Sequence, residues 1–173
     1  MDERILMLVL RLVHILAGIF WVGATLVLAG FLLPAVRATG QEGGRFIQQV
    51  MTRRRLQVYL STTTGLTILA GLVMYWRLAA TTHGAWARSH AGMAFGLGGL
   101  LAIIAAAIGG AIPARAGRRL GAIGQSLQAA GGPPSAEKSA EIAALQRRIA
   151  RTLAVVATLL VISGALMATA RYL

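Results

Sequence analysis

The feature that most constrains this sequence is a set of long, continuously apolar stretches. Four of them have spanning length, at about 12–33, 56–76, 91–112 and 152–170. An α-helix needs about 20 apolar residues to cross roughly 30 Å of hydrocarbon. Membrane strands are excluded because these stretches do not alternate and because an open sheet leaves its backbone unpaired in lipid. The sequence therefore predicts an all-α integral membrane four-helix bundle, with one transmembrane domain over residues 1–173.

Composition supports a membrane protein. Hydrophobic residues make up 57% of the chain and charged residues only 13%, too few to cover the surface of a soluble protein. The N-terminus lacks the basic region and cleavage site of a secretory signal, so we expect the first helix to be retained in a multi-pass protein of the cell membrane. Cysteine is absent, which excludes disulfides, thiolate metal sites, iron–sulfur clusters and covalently attached c-type haem.

The basic residues are divided unevenly between the two sides of the predicted bundle. Twelve of the 17 lie in the connections at 34–55 and 113–151. The positive-inside rule therefore places both connections in the cytoplasm and both termini outside, an N-out/C-out topology. This positive charge has no interleaved aromatic residues, which indicates contact with anionic lipid heads and argues against nucleic acid as a partner.

The second connection contains a local break in the helical pattern. The stretch "AAGGPPSAEKSAE" combines glycine and proline with Ser135 and Ser139, two candidates for a helix N-cap. The residues that follow run without interruption into the fourth apolar stretch. We therefore expect a cytoplasmic extension of the fourth helix.

A short internal repeat relates the first and third spans. The first ends "GFLLPAVR" and the third ends "GGAIPARA". His14 lies 20 residues before Pro34, and His90 lies 23 residues before Pro113. At helical rise these separations are about 30 and 35 Å, so both histidines are predicted at the outer edge of the hydrocarbon. The pattern favours a pseudo-repeat of two helical hairpins, each led by a histidine.

The two histidines are the candidate metal ligands. A titratable side chain in a span is costly and marks a functional site. Two imidazoles on neighbouring helices of a bundle can bind haem iron from opposite faces. Small residues near them and on the other helices are expected to leave room for a macrocycle: Ala17, Gly18, Gly71, Gly92, Ala94, Gly96 and Gly164.

Two arginines near the histidines suit haem propionates. Arg11 lies one turn outward of His14, and Arg88 lies two residues before His90. A guanidinium is well matched to a carboxylate, although both side chains can instead reach lipid phosphates. Trp21 follows His14 by seven residues and so lies on a similar face. The predicted haem b site therefore consists of His14, His90, Arg11, Arg88, Gly18 and Trp21, with His83 expected to be an exposed loop residue.

Two alternatives remain open at this point. Soft thioethers beside imidazole suit copper, and Met7 and Met93 are spaced to join His14 and His90, with Met74 nearby. The histidines can also be packing residues of an accessory subunit that binds other membrane subunits. All five acidic residues lie outside the spans, which argues against a carboxylate-driven transporter.

The first span, "RLVHILAGIFWVGA", with His14, Trp21 and Gly23, resembles the opening helix of the copper-resistance protein D (CopD) family and of related small membrane proteins, including the HemJ-type protoporphyrinogen oxidases. The resemblance covers about 25 residues and otherwise only the four-helix pattern. It implies a helical bundle with a functional histidine at His14, which in HemJ-type relatives carries a b-type haem.

Two departures separate this chain from the HemJ-type enzymes, which follow the first span with a Pro-Arg pair and keep a lysine in a later helix. Here Ala35 follows Pro34, and the only lysine, Lys138, lies in a predicted cytoplasmic segment. An enzymatic role, which would be that of a membrane haem oxidoreductase, is therefore left open. The leading expectation is a haem b protein that exchanges electrons with a redox partner near the outer membrane face, with copper binding or transport as the alternative.

Overall fold

The computed structural model describes residues 2–131 and 134–173, and this part of the chain is almost entirely helical, without strands. Four helices are long and apolar enough to cross a membrane. The predictions of an all-α fold and of a multi-pass membrane protein are therefore confirmed. Many large apolar side chains are exposed, such as Phe31 at 75%, and this surface is compatible with contact to lipid.

Six α-helices follow one another within the described residues. The first span begins as α1 and passes through a π-helical turn, Leu28–Leu32, into α2. Short 3₁₀ turns at Trp86–Arg88 and Ala170–Tyr172 precede α5 and follow α6. The α-helices are α1 (Glu3–Val27), α2 (Leu33–Ala38), α3 (Gly40–Thr52), α4 (Leu56–Thr81), α5 (His90–Ala130) and α6 (Ala136–Thr169).

The four long helices form a ring in the order α1, α4, α5, α6. Helix α1 packs mainly on α4 and α5 mainly on α6, while α1 and α5 face each other across the diagonal. An ion pair between Arg77 Nε and Glu3 Oε1, at 3.2 Å, aligns the end of α4 with the start of α1. We call the end that holds the start of α1, the 82–89 loop and the end of α6 the terminal end, and the end that holds α3 and residues 114–131 and 134–151 the basic end.

Polar contacts also tie the helices together at the basic end. Arg37 donates a hydrogen bond to the Gln146 carbonyl at 2.6 Å, which joins the end of the first span to α6. Arg119 and Glu141 pair at 2.6 Å between α5 and α6. The hydrogen bond from Arg119 lowers the pKa of the Glu141 carboxyl. This pair is therefore complete at neutral pH and is lost only as the pH falls through that lowered pKa.

Both proline-containing spans continue beyond their prolines. The ring of a proline clashes with the carbonyl four residues earlier, and in the first span the π-helical turn lies just before Pro34. Pro113 lies inside α5, a helix of 41 residues that is about 60 Å long. The extension of the fourth helix is confirmed, because α6 begins at Ala136 behind the N-cap Ser135.

The packed core lies between the helix pairs, on the basic-end side of His14. It is built around the buried side chains of Trp21, Ala102, Ala105, Val156 and Leu160. In the α5–α6 pair, the Ser163 hydroxyl donates a buried hydrogen bond to the Gly98 carbonyl at 2.7 Å. These small residues let the helix backbones approach closely, as membrane bundles require.

Candidate functional site

His14 is half-buried on α1 and is hydrogen-bonded across the α1–α4 contact. Its Nδ1 lies 2.7 Å from the Thr67 carbonyl oxygen. Because a carbonyl oxygen only accepts hydrogen bonds, Nδ1 carries the proton and donates it. In the neutral ring Nε2 is then unprotonated and keeps its lone pair. This is the arrangement of metal-binding histidines, which usually donate their other ring N–H to a backbone carbonyl or carboxylate.

Gly71 provides the space in which the imidazole lies. A Cβ atom at this position would be 2.8 Å from His14 Cε1 and 3.0 Å from Nδ1, shorter than real contacts allow. One turn further along α1, a Cβ at Gly18 would be 3.5 Å from Thr67 Cγ2, an ordinary contact distance. The ring of His14 is therefore fixed by the backbone of α4 on one side and by its own hydrogen bond.

The other glycines do not supply the vacant space that the sequence suggested. A Cβ at Gly96 would be 3.0 Å from the Tyr75 hydroxyl, and one at Gly98 would be 3.0 Å from Met167 Cγ. At Gly92 it would collide with the Trp86 carbonyl. These positions are filled by protein atoms, so their small size serves helix packing; Gly164 alone of the glycines named for this purpose has nothing within 4 Å.

The terminal half of the α1–α4 pair is incompletely covered by the rest of the bundle. Of residues 2–16 on α1 none is buried, and the same holds for residues 71–81 on α4. Met7, Leu10, Met74 and Tyr75 are half-buried there, together with His14. An apolar, partly covered surface next to a bare imidazole nitrogen fits the donor and the apolar surroundings that a b-type haem requires.

His90 has a different environment. It is exposed at the first position of α5, directly after the N-cap Ser89, whose hydroxyl accepts from the Gly92 amide at 3.1 Å. Trp21 packs with Ala102 and Ala105, so His14, seven residues earlier, is level with residues 95–98 of α5. His90 therefore lies roughly 8–12 Å nearer the terminal end. The structure also places the two helices on a diagonal rather than as neighbours, and ligation of one haem by both histidines stays a prediction.

The remaining predicted site residues lie in varied places. Arg11 is exposed on α1, one turn before His14, and Arg88 is exposed at the end of the 3₁₀ turn that precedes His90. Trp21 is only 5% exposed and belongs to the packed core, so packing alone accounts for its position. His83 is exposed in the loop, as expected, and adopts a positive φ of 47°.

The copper alternative involves two methionines. Met7 is half-buried on α1, and Met93 is 53% exposed on α5. Within residues 2–131 and 134–173, no group of three or more His, Cys, Asp or Glu side chains is arranged to hold a metal ion.

Two features of the site were beyond sequence reasoning. The Thr67 carbonyl is a backbone group without any sequence signal. An aromatic cluster also forms near the terminal end, where Tyr75 meets Trp86 edge-on at 5.2 Å between ring centroids and Trp86 meets Phe95 at 6.0 Å. This cluster joins α4 to the start of α5, from the level of His14 towards the terminal end.

The fold and the site define a class: a multi-pass helical membrane protein with one oriented, half-buried histidine. Comparison of the chain with protein-family models, with curated proteins and with solved structures finds no match.

Proposed function

We propose that this protein binds a b-type haem within the membrane through Nε2 of His14 and takes part in electron transfer. The observation that carries the proposal is the hydrogen bond from His14 Nδ1 to the Thr67 carbonyl, at 2.7 Å. It selects the tautomer in which Nε2 is free to coordinate iron, and it raises the basicity of that ligand. Gly71 supports the same geometry because any side chain there would push the ring away.

The chain's own residues would bind and orient the group. His14 would hold the iron through Nε2, and the half-buried apolar side chains of the terminal half would exclude water from one side. His90 is the proposed second ligand, and Arg11 and Arg88 are the proposed partners of the propionates. Bound haem supplies one-electron chemistry at its iron. With two histidine ligands no coordination position is left for a substrate, which favours electron transfer over catalysis.

An absorbance spectrum of the purified protein, with haem added, tests this proposal directly. We expect a Soret band and sharpened bands after reduction in the wild type and in His83→Ala, which removes an exposed loop histidine. The bands should be absent in His14→Ala. A protein without a Soret band that instead retains stoichiometric copper would be a copper protein. If neither group binds, His14 serves only as a hydrogen-bonded link between α1 and α4, and the proposal fails.

The proposed orientation places the terminal end outside the cytoplasm, in accordance with the positive-inside rule. The chain has no cysteine, so single cysteines introduced at the exposed positions Thr81 and Gln125 report on opposite ends of the bundle. In intact cells a membrane-impermeant maleimide should label Thr81→Cys and not Gln125→Cys. Labelling of Gln125→Cys alone would indicate the opposite orientation, with His14 nearer the cytoplasmic face.

A further inference from the structure

Helix α3 lines two cavities at the basic end. One, of about 300 Å³, lies between the end of the first span and α3, and its lining is mainly apolar: Leu32, Ala35, Val36, Thr39, Glu42, Gly43 and Phe46. The other, of about 370 Å³, is lined by two guanidinium and two amide side chains: Arg45, Gln48, Gln49 and Arg53. An apolar and a polar cavity therefore share one short helix next to a membrane span.

The apolar cavity lies beside a close contact between the backbones of α2 and α3. Gly43 is buried, and a Cβ atom there would collide with the Val36 carbonyl, so the backbone of α3 rests directly on α2. Ile47 and Val50 are half-buried on the side that faces the bundle. Phe46, at the edge of this apolar face, is 54% exposed. The cavity thus presents an aromatic side chain and the end of a lipid-facing span to the surroundings.

The two cavities lie along one stripe of α3. With 3.6 residues per turn, the positions of Glu42, Phe46, Gln49 and Arg53 follow one another on the same face of a helix. The apolar cavity contains the first two of these residues and the polar cavity the last two. A molecule with an apolar chain and an anionic head can therefore contact both cavities at once.

We propose that α3 is a binding site for an anionic phospholipid, with phosphatidylglycerol as its simplest form. An acyl chain would lie in the apolar cavity against Phe46, and the phosphate would lie between Arg45 and Arg53. Guanidinium and amide N–H groups are both donors to phosphate oxygens. Charge agrees with this occupant, because residues 34–55 contain five arginines and one acid, Glu42. The site is independent of the proposed haem site, which lies at the other half of the bundle.

Native mass spectrometry of the full-length protein tests the site. The delipidated protein is given phosphatidylglycerol, phosphatidylethanolamine or phosphatidylcholine, and we expect only the first to be retained through activation. The double variant Arg45→Gln/Arg53→Gln should bind phosphatidylglycerol about tenfold more weakly, because two charge-assisted contacts are lost. Arg118→Gln/Arg148→Gln is the matched control, since it removes the same charge from exposed positions of α5 and α6.

Three outcomes of this experiment would overturn the proposal. Equal losses in the two double variants would show general attraction to a basic surface. Equal retention of the three lipids would show that charge is not recognised. Displacement of phosphatidylglycerol by millimolar inorganic phosphate would show that the apolar cavity contributes nothing.

A depth measurement gives a second, independent test. Because the chain has no cysteine, a spin label can be attached to Phe46→Cys or to Gln49→Cys alone, in nanodiscs that contain phosphatidylglycerol. The Phe46→Cys label should be relaxed mainly by oxygen, which concentrates in hydrocarbon, and the Gln49→Cys label mainly by a water-soluble nickel chelate. Relaxation of both labels by the nickel chelate would place α3 away from the membrane and contradict the proposal.

Discussion

His14 and His90 occupy comparable places in the sequence, each some twenty residues before a proline, but their surroundings differ. His14 is half-buried, donates to the Thr67 carbonyl and lies against Gly71. His90 is exposed at the start of α5. Both helices continue past their prolines, so a proline does not end the helix here, and the predicted depth of the two histidines stays a prediction. What distinguishes His14 from His90 is the packing of α4 against its ring.

Replacing His14 should have the largest effect. We expect His14→Ala to weaken haem binding by more than about 100-fold, because loss of the ligand itself exceeds the 10–100-fold cost of losing a residue that merely orients one. Titration with haem, followed by Soret absorbance, measures this change, with His83→Ala as the control. If His14→Ala binds haem with wild-type affinity, the proposed difference in haem binding between His14 and His90 is wrong.

The next largest effect is expected at Gly71. In Gly71→Ala the new methyl group would lie 2.8 Å from His14 Cε1, so the ring must turn away from the Thr67 carbonyl. We predict a loss of haem affinity of about 10–100-fold in the same titration. Gly65→Ala is the matched control, since it lies on the same helix with nothing within 4 Å of its Cβ position. Equal effects of the two variants would mean that helix stability, and not the position of His14, was changed.

His90→Ala tests the other half of the comparison. If His90 is the second axial ligand, the reduced and oxidised spectra should change from six-coordinate low-spin to five-coordinate high-spin, and haem affinity should fall about tenfold. A low-spin spectrum identical to that of the wild type would assign the second position to another residue. His14 would then be a haem ligand, and His90 would be only a surface residue.

The smallest effect is expected at Arg11. Arg11→Gln should leave the absorbance spectrum unchanged and lower the midpoint potential by tens of millivolts, because a nearby positive charge stabilises the added electron. Potentiometric titration of the haem bands measures this shift. Arg4→Gln, also exposed on α1 but nearer its start, serves as the control, and an equal shift there would show that Arg11 has no special relation to the haem.

Much of the fold could be predicted from the sequence. Spanning segments are set by length and hydropathy, which are local properties, and the extension of α6 was indicated by a Gly-Pro break and by Ser135. The continuation of α5 beyond Pro113 was not predicted. A proline normally interrupts a helix, but Ala116 and Ile123 are buried further along α5, so packing between α5 and α6 compensates for the local cost.

Of the candidate site, the sequence predicted His14 but not the contacts that hold its ring. His14 was identified because an imidazole is unusual in a membrane span. Its partner is the Thr67 carbonyl. Which carbonyl lies opposite His14 depends on the register between α1 and α4, and no residue in the sequence indicates that register. Gly71 was noted for its small size, but as room for a macrocycle, whereas in the structure the imidazole of His14 occupies that space.

The pairing of helices also bears on how the protein is made. The ribosome releases α1 and α4 before α5 and α6 exist, and the first pair already contains both the Glu3–Arg77 ion pair and the hydrogen bond of His14 to Thr67. The hydrogen bond that orients the His14 ring therefore needs only the first half of the chain. The core around Trp21 also contains Ala102 of α5 and Val156 of α6, so it cannot form until both helices have been made. We expect a nascent chain that ends before α5 to form the hydrogen bond between His14 and Thr67 although the bundle is still incomplete.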